Sequence, residues 1–263
     1  MTQPPEDITN FVQQQFGRAA ADYVTSFTHA QGTDLKRLVE LAAPKAEECM
    51  LDVATGGGHT ALAFAAFVRH AVALDLTKPM LIEARKHITA QGMKNVSYCR
   101  AAAEALPFSD NSFDISVCRI AAHHFADPRQ YALEAARTLR PGGRLLISDH
   151  IGIEDPEFDA FMDKFERWRD PSHVRAYTYK EWQAFLSDAG LEVVHTEDHD
   201  RDPYIYDDWT KRIRMPEQER DALEQWLLQA EPRFREFFSI KEEAGRIVSL
   251  KSTFGIVMAQ KPA

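Results

Sequence analysis

The 263-residue sequence predicts an α/β fold, a mostly parallel seven-stranded sheet with helices on both faces. Three observations lead there. From Cys49 to Ser148, short β-rich apolar runs alternate with amphipathic stretches, as parallel strands joined by crossover helices require. The first run leads directly into a glycine-rich turn. The length and the 44% hydrophobic content suit one substantial core better than two. The expected organisation is therefore a single unit, with a helical cap over 1–45, a core over 46–150 and further helices with the last strands over 151–263.

Within the core, strands are expected at Met50 to Val53, His70 to Asp75, Val96 to Arg100, Phe113 to Arg119 and Gly143 to Asp149. Thr60 to Val68, rich in Ala, Leu and Phe, reads as a buried helix, and Pro79 to Gln91 as the next, with Gly92 as its stop. Ahead of the core, Asp7 to Glu40 reads as mostly helical on the anchors Phe11, Phe16, Tyr23 and Phe27. Beyond it, Glu154 to Arg169 and Thr178 to Ala189 read as helices, Gly190 stops the second, and Leu191 to His195 forms a sixth strand. Tyr206 to Arg246 reads as helical, broken by Pro216 and Pro232, before a last strand at Thr253 to Ala259. An insertion of that length between two strands suits a lid.

A formal charge of −9 argues against a broad footprint on nucleic acid or anionic lipid, both of which select for clustered Lys and Arg. The start MTQPPEDITN lacks the order of a secretory signal, and no run of about 18 apolar residues is present to span a bilayer, so stable membrane insertion is not expected and a cytoplasmic location is. Cys49, Cys99 and Cys118 form no C-x-x-C pair and the histidines show no ligand spacing, so neither a disulfide framework nor a metal is assigned.

The strongest local signal is LDVATGGGHT, in which a strand runs through Ala54 and Thr55 into Gly56, Gly57 and Gly58 and then a helix. Glycines let the backbone approach a ligand, and the helix start offers unpaired N–H groups. It is not the G-x-G-x-x-G of a pyrophosphate binder, because His59, Thr60 and Ala61 follow Gly58. Asp75 ends the second strand 17 residues after Gly58, where a carboxylate can accept from both hydroxyls of a ribose.

The ordered set LDVATGGG, ALD, AEALPFSDNSFD and LRPGGRLLISD resembles the class I S-adenosylmethionine (SAM)-dependent methyltransferases, and more narrowly the small-molecule branch with the ubiquinone and menaquinone ring C-methyltransferases. The resemblance covers about residues 50 to 149; FGRAAADY at Phe16 to Tyr23 also looks like the branch's N-terminal helix. It implies a Rossmann-like sheet and SAM as cofactor, with S-adenosylhomocysteine as product. It places Tyr23 near the methionine end, Asp52, Ala54, Gly56 and Gly58 around the methionine part, Asp75 on the ribose and Leu76 on adenine. Where GDAE-x-LPF is common in the family, this chain has Ala102, Ala103 and Glu104 around the adenine edge, so the Asp that usually accepts from the adenine amino group is missing.

Ligands of open α/β sheets sit outside the strands' carboxyl ends, so the segment Cys118 to Phe125 is expected beside the methyl group. His123 is the candidate base, Arg119 the candidate anchor for an anionic acceptor, and His124 a second substrate contact. Either histidine can equally serve to pack the loop, and Arg119 to form a buried ion pair. DPSHVRAYTYKEW supplies His173, Arg175 and Tyr177 as a second possible wall, with surface pairing as the alternative. Trp226, Leu227, Leu228, Phe234, Phe237 and Phe238 offer a greasy entrance for a lipid-tailed quinone, a homodimer contact, or core. The sequence therefore points to a methyltransferase acting on a small organic acceptor, with a quinone methylase or a non-catalytic SAM-binding protein as alternatives. A nicotinamide oxidoreductase is disfavoured by the missing third glycine and an RNA methyltransferase by the acidic charge.

Overall fold

The structure, a computed structural model, describes residues 32–263 together with Phe11 and Gln13. In the first part of the chain lie α1 (Thr33–Ala42), β1 (Cys49–Val53), α2 (His59–Ala65), β2 (His70–Asp75), α3 (Lys78–Ala90), β3 (Val96–Arg100), β4 (Phe113–Arg119), α4 (Pro128–Thr138) and β5 (Leu139–His150). They are followed by α5 (Pro156–Arg169), α6 (Tyr179–Asp188), β6 (Glu192–Asp198), β7 (Tyr204–Ile205), α7 (Tyr206–Arg212), α8 (Glu217–Leu228), α9 (Pro232–Phe237), β8 (Lys241–Glu243), β9 (Arg246–Leu250) and β10 (Phe254–Gln260).

Seven strands form one sheet in the order β3-β2-β1-β4-β5-β10-β6. The first five run parallel, and β10 is antiparallel to both β5 and β6. The expected sheet is thus the observed one. Strand alternation divides the core: Leu51 and Val53 pack with Tyr131, Trp182 and Leu186 from α4 and α6, whereas Met50 packs with Leu38 and Phe64 from α1 and α2. Both faces are covered, which is why β1 and β4 are buried almost throughout.

Local chemistry fixes the helix starts. Asp127 and Asp155 each accept two backbone N–H groups at the head of α4 and α5, ahead of Pro128 and Pro156. Thr178 and Glu181 form a capping box on α6. Gly92 and Gly190 stop their helices with φ of +79° and +82°. The order β1, turn, α2, β2, α3 then brings the glycine turn and Asp75 to the same edge of the sheet.

Gly58 sits at φ +82°, and a Cβ there would stand 2.9 Å from Ile88 Cδ1 and 3.0 Å from the Ala84 Cβ on α3. Gly58→Ala combines left-handed strain with overpacking and is expected to destabilise the fold by about 2–3 kcal/mol. Urea unfolding checks this; an unchanged midpoint would show that α3 does not press on the turn.

One reading is corrected and one set of alternatives is narrowed. Residues 241–250 are not helical: β8 and β9 form a hairpin whose tip, Ala244 and Gly245, has positive φ at both positions, and β7 joins it in a small β7-β9-β8 sheet. The β-branched Ile247 and Val248 beyond Gly245 carried that signal. Of the three alternatives for the 226–238 aromatics, core packing is the one the structure shows for most of them: Phe161 stacks on Trp226 and Phe234 at 4.5 Å, and Phe238 and Leu227 are buried in a second core with α5, while Phe237 remains 47% exposed.

Candidate active site

A cleft of about 1030 Å³, its mouth included, opens at the carboxyl ends of β1, β2 and β4. Ala54, Thr55, Gly56 and Gly57 form its floor at the turn, and Leu76, Thr77 and Met80 form one side with Ala101 to Glu104. The opposite wall is Arg119, Ile120, Ala121, His124, Phe125 and Ala126. Ala54, Gly56, Asp75, Leu76, Ala102, Ala103, Glu104, Arg119 and His124 therefore meet, as their positions in the sequence suggested.

Asp75 anchors the cleft. Its Oδ2 accepts from Gly56 N at 2.9 Å and its Oδ1 from Thr77 N at 2.8 Å. Burial pushes the carboxyl up, against the pull of these donors. The Thr77 side chain also bonds to it, and of the about four acceptor sites of a carboxylate the remainder is open to a hydroxyl of a bound molecule. The surrounding Leu76 and Met80 suit a flat apolar ring.

Asp52 stands under the turn rather than in the cleft. It is buried, and its Oδ2 accepts from the Thr55 hydroxyl at 2.5 Å and from Ala61 N at 2.9 Å. Burial raises its carboxyl to about 7, with Thr55 and Ala61 pulling the other way. Asp52 thus locks turn to helix, and Gly58 packs on α3; neither lines the cleft. Cys118 also leaves the predicted set, because β4 alternation points it into the core, where burial holds its thiol well above the usual range. Tyr23 lies outside the described residues.

The histidine pair divides. His124 lines the cleft, with Nδ1 2.9 Å from the Ser172 carbonyl. Burial, and then the charge of His123, lowers its pKa to about 4, so the ring is neutral at pH 7. His123, the expected base, does not line the cleft: its Nδ1 is 2.6 Å from Asp149 Oδ1 in a buried pair. Burial disfavours its charged form, but the Asp149 carboxylate outweighs this and raises its pKa. Asp149 was not foreseen; LLISD offered it as a strand-end carboxylate like Asp75.

Arg119 borders the cleft with its guanidinium committed to Asp34 of α1, through Nε at 2.6 Å and Nη2 at 2.8 Å. Both side chains are nearly inaccessible, at 3% and 0% exposure. The guanidinium thus forms the buried ion pair that the sequence left open as the alternative to an acceptor anchor. The second predicted wall is also elsewhere: Arg175 pairs with Glu181 at 3.0 Å, Tyr177 packs against Trp182 and Phe185, and His173 is buried behind the His123 turn. Glu104 mainly holds the wall in place, accepting from Ala126 N at 3.0 Å. Thr55, Thr60, Met80 and Phe125 line the cleft without having been singled out; Phe125 carried the clearest signal, as an aromatic in the very loop expected to face the acceptor.

The pattern of the methyltransferase domain family matches residues 51–147, the stretch that builds this cleft. The uncharacterized methyltransferase YcgJ of Bacillus subtilis (strain 168) is 39% identical over 225 residues, which cover 86% of this chain and 88% of that protein. The chain belongs to the SAM-dependent methyltransferases. A solved structure from Bacillus halodurans C-125 superposes with a TM-score of 0.85 at 39% identity, over 88% of this methyltransferase and all of that chain. The ubiquinone/menaquinone C-methyltransferase UbiE of Roseobacter denitrificans is 35% identical over 131 residues, 49% of this methyltransferase and 52% of that enzyme. SAM is the methyl donor, and the cleft fits it: a carboxylate at the end of β2, an apolar side at Leu76 and Met80, and a glycine turn open to a polar tail. No helix among the described residues is long and apolar enough to cross a membrane.

Proposed function

We propose that this methyltransferase transfers the methyl group of SAM to a small organic acceptor seated against Ile120, Ala121, His124 and Phe125. The observation that carries the reading is that one continuous cleft joins the glycine turn and Asp75 to that wall. SAM supplies a sulfonium methyl that is already activated, so the protein's task is alignment and exclusion of water. Asp75 accepts from the ribose hydroxyls, Leu76 and Met80 cover adenine, Ala102 and Ala103 meet its edge, and Ala54 and Gly56 face the methionine part. The Ser172 carbonyl holds the proton of His124 on Nδ1, which gives Nε2 the acceptor lone pair. A neutral ring of low basicity orients a hydroxyl or amine rather than stripping it. His123, bound to Asp149, positions the 122–124 turn from behind.

His124→Gln is expected to lower kcat on the order of 100-fold while leaving SAM affinity within a few fold. A full-rate variant would remove it from the acceptor site. Ala102→Asp restores the acceptor of the adenine amino group and is expected to tighten SAM binding about tenfold, as one charge-assisted hydrogen bond is worth; calorimetric titration reads this, and weaker binding would place adenine elsewhere.

The acidic charge favours a small soluble acceptor in the cytoplasm over nucleic acid. A lipid-tailed quinone is less well supported, since the likeness to UbiE spans half of each chain and the 226–238 aromatics are engaged in core packing. Methyl-labelled SAM, incubated with the protein and a cell extract divided into polar metabolites, lipids and RNA, tests the assignment. Label among polar metabolites is the expected result, and label confined to lipid or RNA would overturn it.

A further inference from the structure

Behind the cleft wall, four separate segments converge on a buried group of histidines and carboxylates. The 122–124 turn brings His123, the end of β5 brings Asp149 and His150, α5 brings Glu166, and the following loop brings His173, all of them buried. The imidazole centroids of His123 and His150 are 4.8 Å apart, those of His123 and His173 5.2 Å, and those of His150 and His173 6.1 Å. Imidazoles bound to one ion through nitrogens at about 2.1 Å have centroids roughly 5 Å apart.

The donor atoms agree with the rings. His150 Nδ1 stands 3.6 Å from Glu166 Oε1, too far for a hydrogen bond, and 3.1 Å from the Ser252 hydroxyl, whose contact with it an ion would replace. Two donors each about 2.1 Å from a tetrahedral ion are separated by roughly 3.4 Å. Glu166 Oε1 is fully enclosed and has no hydrogen-bond partner, and the same is true of His173 Nε2. A buried carboxylate oxygen with no partner normally costs several kcal/mol, a cost that a bound cation would remove.

The donor atoms of His123, Asp149 and His150 lie within 4.8 Å of one another, and Glu166 faces His150 from α5. We propose that His123 and His150, with Glu166 as the carboxylate, bind a divalent first-row transition metal ion, with His173 at its flank. Asp149 is the outer partner: its two oxygens already accept from His123 Nδ1, His150 N, Ala121 N and His123 N. That leaves Nε2 of His123 for the ion, in the carboxylate–histidine–metal arrangement. Two nitrogens and a carboxylate oxygen suit Zn2+, Co2+ or Fe2+ and not Mg2+, which prefers an all-oxygen shell. The ion ties the 122–124 turn to α5 and so fixes the wall on which His124 stands. The site is independent of which acceptor is methylated.

The test uses the full-length protein, stripped with a chelator and titrated with Co2+. One equivalent of Co2+ with visible d–d absorption is expected, with Zn2+ displacing it and Mg2+ leaving it unchanged. Glu166→Gln and His150→Gln, each checked for fold by circular dichroism, should weaken Co2+ binding at least tenfold. Should either variant fail to fold, the wild-type protein decides: Zn2+ must raise the Tm of the stripped protein, and chelation must lower that of the purified one. No Co2+ spectrum and no Zn2+ effect on Tm would overturn the proposal, as would Co2+ binding of equal strength in folded Glu166→Gln.

Discussion

Asp75→Ala will weaken SAM binding at least a hundredfold while the sheet stays folded. The carboxylate accepts from Gly56 N and Thr77 N, so it holds the glycine turn and the start of α3 as well as offering its remaining lone pairs to a ribose. Hydrogen bonds to a charged group contribute about 1.5–3 kcal/mol each, and two lost from the ribose give on the order of a hundredfold or more. Asp75→Asn keeps the shape and one acceptor oxygen and should fall between the two. Calorimetry with SAM or S-adenosylhomocysteine reads both variants; equal affinity for wild type and Asp75→Ala would remove the ribose assignment.

Asp34→Ala will destabilise the protein by about 3–5 kcal/mol, because it removes the bidentate partner of a buried guanidinium. Arg119 is at the end of β4 and Asp34 in the first turn of α1, so the pair fastens α1 to the edge of the cleft. The same pair gives a pH dependence. Burial alone would raise the Asp34 carboxyl, but the hydrogen bond and charge of Arg119 outweigh it and hold it at about 2, below the ordinary 3.8. A carboxyl depressed in the folded state contributes stability that is complete above about pH 4 and is lost as the pH falls through 2, here on the order of 2 kcal/mol. Urea midpoints measured from pH 5 down to 2 should converge for wild type and Asp34→Asn; parallel curves would show that the pair does not carry this dependence.

What could be read in the sequence was local. The parallel strands declare themselves through runs of β-branched and apolar residues, and the glycine turn lies next to the strand that positions it. The place of Asp75 in the cleft was legible because it depends on one strand end and a turn 17 residues back. Arg119 was ambiguous because its partner is 85 residues away and Asp34 looks like any acidic residue at a helix start. The histidine group shows the same limit: His123, His150, Glu166 and His173 have no ligand spacing, and only the fold brings them together. Which of His123 and His124 lines the cleft turns on the direction of two neighbouring side chains in a short turn, which no periodicity specifies. The 241–250 hairpin was hidden by charged flanking residues that suit an exposed edge as well as a helix.

In the proposed reading, one cleft holds SAM by Asp75 and presents its methyl group to the Ile120–Phe125 wall. A crystal structure with S-adenosylhomocysteine bound tests this. Both ribose hydroxyls are expected within hydrogen-bond distance of Asp75, adenine between Leu76 and Ala103, and the sulfur turned towards His124. A nucleoside lying away from Asp75, or a sulfur turned from that wall, would contradict it.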